Sequence, residues 1–166
     1  MSFPVSAGLL VFVPMVIEAG LAARHDRALR ALGAIEPRRD VYRTMLIAYP
    51  ATFLAMLAEG GWRGVRPDSL ALAGACVFVV AKALKYWAIA SLGQRWTFRV
   101  LVPPGSHRIV RGPYRWMSHP NYVAVALELT GVALAIHARI TGPILVAAFG
   151  SLMYRRVQIE EQALGR

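Results

Sequence analysis

Residues 70–92 read LALAGACVFVVAKALKYWAIASL, a run of 23 residues interrupted only by Lys82 and Lys85. The apolar residues come in a block rather than at an amphipathic period, and a bilayer-crossing helix needs about 20 of them. Similar blocks lie on either side. Residues 4–23 carry one charge, Glu18; residues 41–58 carry one, Arg43; residues 121–137 carry one, Glu128; residues 140–154 carry none. The last two blocks are short, which suits tilted helices, a locally thinned bilayer, or a re-entrant hairpin buried against the other helices. The 166-residue chain is 57% hydrophobic and 17% charged, with a mean hydropathy of +0.46, well below the roughly 25% charge of soluble domains. The expected architecture is a single all-α domain, 1–166. It has about five membrane spans (4–23, 41–58, 70–92, 121–137, 140–154), with a cytosolic loop and a terminal helix that form a cofactor site. The first block has no basic segment before it and no convincing cleavage site, so it reads as a retained span.

The net charge of +10 is distributed asymmetrically. Segments 24–40 and 93–120 and the tail carry most of the arginines, whereas Arg63, Arg66 and Arg139 fall in the alternate loops. Five spans with the positive-inside rule place the C-terminus and the 93–120 segment in the cytoplasm and the N-terminus outside. The excess charge orients the chain at an inner or plasma membrane and suits anionic headgroups. No basic patch interleaved with stacking aromatics marks a nucleic-acid surface. The lone Cys76 permits no intramolecular disulfide and reads as a small core residue. The histidines lack ligand spacing, so no metal is expected.

The polar residues concentrate at one edge. Arg111 to Tyr122 reads RGPYRWMSHPNY, and beyond the hairpin comes RRVQIEE from Arg155 to Glu161. Pro120 suits the first turn of a helix that Ser118 or Asn121 would cap, and such an N-terminus favours an anion. Glu128 inside a span is a candidate functional carboxylate, with Lys82 or Lys85 as partner unless those lysines snorkel to the cytosolic edge. Trp96 either lines a tunnel or packs. Without a Gly-rich phosphate fingerprint, a soluble dinucleotide-type fold is not expected.

LGQRWT (92–97), HRIVRGPYR (107–115), HPNY (119–122) and Arg156 through Glu160-Glu161 together resemble the isoprenylcysteine carboxyl methyltransferase family over residues 92–164. The resemblance implies S-adenosylmethionine as methyl donor, leaving S-adenosylhomocysteine, and a lipophilic acceptor entering from the bilayer. On this basis His107, Val110, Gly112, Pro113, Tyr114, His119, Tyr122, Glu160 and Glu161 are expected to hold the cofactor. His119 and Arg156 are the candidate catalytic residues, and Trp96 and Glu128 the acceptor contacts. A carboxylate can take the donor's ammonium or ribose, a guanidinium its carboxylate, and aromatic rings its adenine or sulfonium. The chain departs from the family at Ser118, where an arginine is usual, and it ends soon after Glu161. Short bacterial relatives that resemble it methylate hydroxyls of alkyl-pyrone or alkyl-resorcinol lipids, which favours a hydroxyl acceptor. A weaker resemblance to membrane sterol reductases implies NADPH instead. A small transporter, for which no internal repeat is visible, and a membrane scaffold are the non-enzymatic alternatives. Oligomeric state is not legible.

Overall fold

The computed structural model describes residues 2–36, 41–104 and 109–163. Five helices follow one another: α1 (Phe3–Ala31), α2 (Tyr42–Trp62), α3 (Ser69–Leu92), α4 (Pro120–Ala135) and α5 (Thr141–Ala163). Short 3-10 turns occupy Gly93–Arg95 and Gly112–Arg115, and Ile35 forms an isolated antiparallel bridge with Val102. Two helices, α1 and α3 with the turn that follows it, combine the length and hydropathy needed to cross a bilayer, while α4 is a shorter apolar helix.

Several boundaries differ from those expected. α1 runs on to Ala31, carrying Arg24, Arg27 and Arg30 on helix rather than loop. The fifth block and the terminal helix are one continuous 23-residue helix, α5, so Glu160 and Glu161 sit on the same rigid rod as Phe149. The 93–120 segment is not structureless, because its turns and the Ile35–Val102 bridge pin it to the helices. Cys76 is exposed on α3, not packed in the core. Neither Ser118 nor Asn121 caps α4: His119 holds the N-cap position with no side-chain bond to the helix. Pro120 removes one amide that a cap would have served.

Other helix ends show how the sequence sets them. Asp68 accepts from the Ala71 amide at 2.8 Å and caps α3. At the start of α5 the cap comes from another helix. Glu59 of α2 accepts from the amides of Ile140 (3.1 Å) and Thr141 (2.8 Å) and from the Thr141 hydroxyl (2.7 Å). This satisfies amides that the first turn of α5 would otherwise leave unpaired.

Packing is closest between α3 and α4. Gly74 faces Gly131 and Ala135 with no room for a side chain on either glycine, the close approach by which small residues join helices where no hydrophobic drive separates protein from lipid. The core then spreads through Phe53 and Met56 of α2, Leu129 and Val132 of α4, and Phe149 and Met153 of α5.

The C-terminal end of α1 is tied to the loop by charge. Arg99 donates to Glu36 at 2.7 Å, lies 3.6 Å from Asp26, and stacks on the Tyr42 ring at 4.1 Å. Arg30 holds the other oxygen of Glu36 at 2.5 Å. Partial burial opposes ionisation of Glu36, but the hydrogen bonds from Arg30 and Arg99 prevail and hold its carboxyl below its ordinary 4.5. A carboxyl depressed by folding contributes stability above its unfolded value and loses it as pH falls through the lower folded value. Thermal melting between pH 6 and 3, values about one to two units either side of the ordinary carboxylate range, should show the acid-side decline reduced in Glu36→Gln. An unchanged decline would mean that solvent screens these pairs completely.

Candidate functional site

Gly112 makes the turn that carries Tyr114. Its φ of +57° suits glycine, and a Cβ there would stand 2.0 Å from Ser91 Oγ and 3.2 Å from Trp87 Nε1. Next to it the Arg111 Nε–H donates to the Ser91 carbonyl at 2.8 Å, fastening the turn to the end of α3. Pro113 is buried, and Tyr114 reaches the wall of a cleft. Burial, with the negative charge of Glu160 nearby, raises the Tyr114 hydroxyl well above its ordinary pKa, so it serves as a neutral hydrogen-bonding ring.

The same cleft, about 1100 Å³ including its mouth, is lined on the α4 and α5 sides by His119, Tyr122, Arg156, Glu160 and Glu161. These residues form one chain of contacts. Arg156 donates through Nε to the Tyr122 hydroxyl at 2.9 Å and through Nη2 to the Phe98 carbonyl at 2.5 Å. The Tyr122 hydroxyl donates to Glu160 Oε2 at 3.1 Å. His119 meets Glu161 Oε1 at 3.2 Å, with Glu160 at 3.9 Å from its other ring nitrogen. Because α5 is unbroken, Arg156, Glu160 and Glu161 fall on adjacent turns facing the start of α4.

A second cavity, about 1130 Å³ including its mouth, opens on the other side of Arg156. Its wall is largely apolar, built from Phe12, Met15 and Val16 of α1, Met45 of α2, Val125 of α4 and Phe149 of α5. Trp96, Thr97, Asn121, Tyr122 and Arg156 line both cavities and so form the partition between them. Trp96 is buried and held on two sides. Its Nε1–H donates to Asn121 Oδ1 at 3.4 Å, and its carbonyl accepts from His25 Nδ1 at 2.8 Å, which requires the proton on that nitrogen.

The expected site residues divide accordingly. Tyr114, His119, Tyr122, Arg156, Glu160 and Glu161 come together on the polar cleft, and Trp96 stands at the partition. Gly112 and Pro113 shape the turn and do not line the cleft; Val110 is exposed beside Ile109, which does line it. His107 lies outside the described residues. Glu128 does not reach either cavity. It is buried in a ring of four charges, with Lys82 at 3.1 Å and Lys85 at 3.3 Å, and both ammonium groups also touch Glu18 at 2.8 and 2.7 Å. Pairing rather than snorkelling therefore accounts for both lysines. Tyr49 donates to Glu128 from α2. Lys85 and Tyr49, rather than Glu128, line the apolar cavity. Four charges of balanced sign within the apolar blocks were the signal for this cluster; His25 and Asn121 gave none.

The model of the isoprenylcysteine carboxyl methyltransferase family matches residues 73–166. The chain is 31% identical to the uncharacterized protein YpbQ of Bacillus subtilis, over 93% of this chain and 92% of that one. It is 27% identical to an uncharacterized protein of Haemophilus influenzae, over 87% and 84% of the two lengths. No solved structure matches the chain. The family is one of methyltransferases, and with two helices apolar and long enough to span a bilayer it points to a membrane protein. With the family match running from the second turn of α3 through α5, and so over every cleft residue named above, this chain belongs to the isoprenylcysteine carboxyl methyltransferase family.

Proposed function

We propose that the chain is an S-adenosylmethionine-dependent O-methyltransferase of a lipophilic acceptor, working at the membrane–cytosol interface. The observation that carries this reading is the pair of cavities of opposite character separated by Trp96, Thr97, Asn121, Tyr122 and Arg156. A charged, water-soluble donor suits the polar cleft and a lipid suits the apolar one, and the partition is where their reacting atoms would meet. The cleft's residues fit the donor: Glu160 and Glu161 answer an ammonium or a ribose diol, arginines including Arg95 and Arg99 answer a carboxylate, and Tyr114 offers a ring face.

Bound there, the cofactor supplies an electrophilic methyl on a sulfonium, which an acceptor oxygen takes to leave S-adenosylhomocysteine. The chain's part is alignment, an effect that can be worth roughly 7–11 kcal/mol. Arg156, fixed by Tyr122 and the Phe98 carbonyl, presents its positive charge to the acceptor side, where an ionised oxygen is attracted and oriented. Asn121 is held by Trp96 at the same wall. His119 lines the donor cleft and not the apolar cavity, so its role is to hold the donor with Glu161. No acidic or histidine side chain lines the apolar cavity among the described residues, which suits an acceptor that arrives ionised. Ser118, where the family usually has arginine, favours a hydroxyl of an aromatic or pyrone lipid over a prenylcysteine carboxylate.

Calorimetry against S-adenosylhomocysteine, with NADPH in parallel, tests the donor. Glu160→Gln with Glu161→Gln should weaken S-adenosylhomocysteine binding at least about tenfold, equivalent to ~1.4 kcal/mol, while Arg139→Ala, exposed at the far end of α4, leaves it unchanged. Equal binding by the folded double variant, or binding of NADPH alone, would refute the donor assignment. For topology the reading is five spans with the N-terminus outside, and a reporter fused at the C-terminus should score as cytosolic.

A further inference from the structure

The apolar cavity has polar groups at two ends. From Tyr42 to Tyr49 on α2, and from Arg156 back to Phe149 on α5, the wall runs seven residues, about 10 Å at a helical rise of 1.5 Å per residue. Arg156, Asn121 and Tyr122 stand at the cytosolic end; Lys85 and Tyr49 stand at the inner end, with Phe12 and Phe149 beside them. Lys85 belongs to the charge ring, and its contacts are unequal. Glu18 lies at 2.7 Å, Glu128 at 3.3 Å and the Tyr49 hydroxyl at 3.4 Å. An ammonium has three hydrogens to give, and the last of these is spent on a long contact at the cavity wall. Lys82 completes the ring from the side away from the cavity.

Burying two ion pairs is expensive, and well-packed apolar residues in their place are often as stable or more so. An ionisable side chain within the membrane that faces a cavity is by default a functional group. Here the two carboxylates are hidden behind the lysine and the tyrosine, and the tyrosine proton is committed to Glu128, so the donor an occupant of the cavity meets at this end is the Lys85 ammonium.

We propose that Lys85, seated beside Tyr49 at the cavity wall, forms a second polar subsite in the acceptor cavity, its ammonium donating to a hydrogen-bond-accepting oxygen of the lipid about 10 Å from the atom that is methylated. The acceptor class is then an amphiphile with two oxygens at that separation, one reacting at Arg156 and one held at Lys85, rather than a headgroup on a plain hydrocarbon chain. The oxygen would replace the Tyr49 hydroxyl as the third partner of the ammonium, leaving Glu18 and Glu128 in place. This inference rests on the reading of the apolar cavity as the acceptor site.

The test uses the full-length protein in lipid nanodiscs and two probes of equal length: a long-chain 4-alkylphenol, and its analogue with a ketone on the fourth chain carbon. Binding of each is measured in the presence of S-adenosylhomocysteine, whose own affinity is measured separately. The ketone probe should bind about tenfold more tightly than the plain one (~1.4 kcal/mol). That ratio should fall to about one in Lys85→Met combined with Glu128→Gln, a pair that keeps the core neutral by leaving Glu18 with Lys82. S-adenosylhomocysteine affinity should be unchanged in the double variant, which reports that it is folded. A ratio near one in the unsubstituted protein overturns the subsite whatever the variant does, and so does a tenfold ratio that survives the double substitution. Loss of S-adenosylhomocysteine binding by the unsubstituted protein would instead count against the donor reading.

Discussion

Gly74→Ala is expected to destabilise the protein by more than about 3 kcal/mol, at the upper end of what overpacking a core costs. Helix propensity alone predicts the opposite, since alanine in place of glycine inside a helix gains about 0.5–1 kcal/mol. Sterics reverse the sign. A Cβ on Gly74 would stand 2.4 Å from the Ala135 amide nitrogen and 2.6 Å from the Gly131 carbonyl oxygen, and backbone atoms of a packed helix have nowhere to go. Gly131→Ala meets the same obstacle from the other side, at 2.8 Å from the Phe78 nitrogen. Gly20→Ala is the control: its Cβ would meet nothing within 4 Å, so it should be neutral or slightly stabilising. Thermal melting of the three variants in one detergent decides the matter, and a Gly74→Ala protein that melts with Gly20→Ala would show that α3 and α4 do not touch here.

The second large effect is expected at Arg156. Arg156→Ala should lower kcat/KM at least about a hundredfold, or ~2.7 kcal/mol, because one side chain serves both cavities. It orients Tyr122 beside the polar cleft, anchors the bend at Phe98, and carries the positive charge on the wall of the apolar cavity. Lysine should not rescue it. The two bonds leave from different nitrogens of a planar fork, and an ammonium is a single point. The loss should appear in methyl transfer with labelled donor while the melting temperature falls far less than in Gly74→Ala. An Arg156→Lys enzyme with full activity would reduce the residue to a source of charge.

Much of the lining of the polar cleft was legible because its residues are local. The GPY turn, His119 and Tyr122 lie within ten positions of one another, and Glu160 follows Arg156 by one helical turn, so spacing alone puts each group on one face. The segmentation into apolar blocks was equally readable, since transfer into a bilayer depends on composition over a window and not on neighbours far along the chain. The helix ends were read less well. α1 was cut short at its first arginine, although a helix continues into water wherever charged residues find partners, as Arg30 does with Glu36. The cap sought from Ser118 or Asn121 was absent because Asn121 is engaged with Trp96.

What the sequence by itself determined is the set of helices, the membrane-type composition and the pooling of polar chemistry at one edge, all consequences of residue order within about twenty positions. Only the tertiary structure decided which charges meet. Glu18 lies 64 positions from Lys82, and Lys85 lies 43 from Glu128; the sequence offered Lys82 or Lys85 as a partner for Glu128, but not that both lysines bridge to Glu18 and close a neutral ring. The same holds for the partition, where His25, Trp96, Asn121 and Arg156 arrive from four separate segments. Pairings of this kind depend on which helix faces which, and that is set by the packing of Gly74 against Gly131 and by the apolar contacts around Phe53 and Leu129.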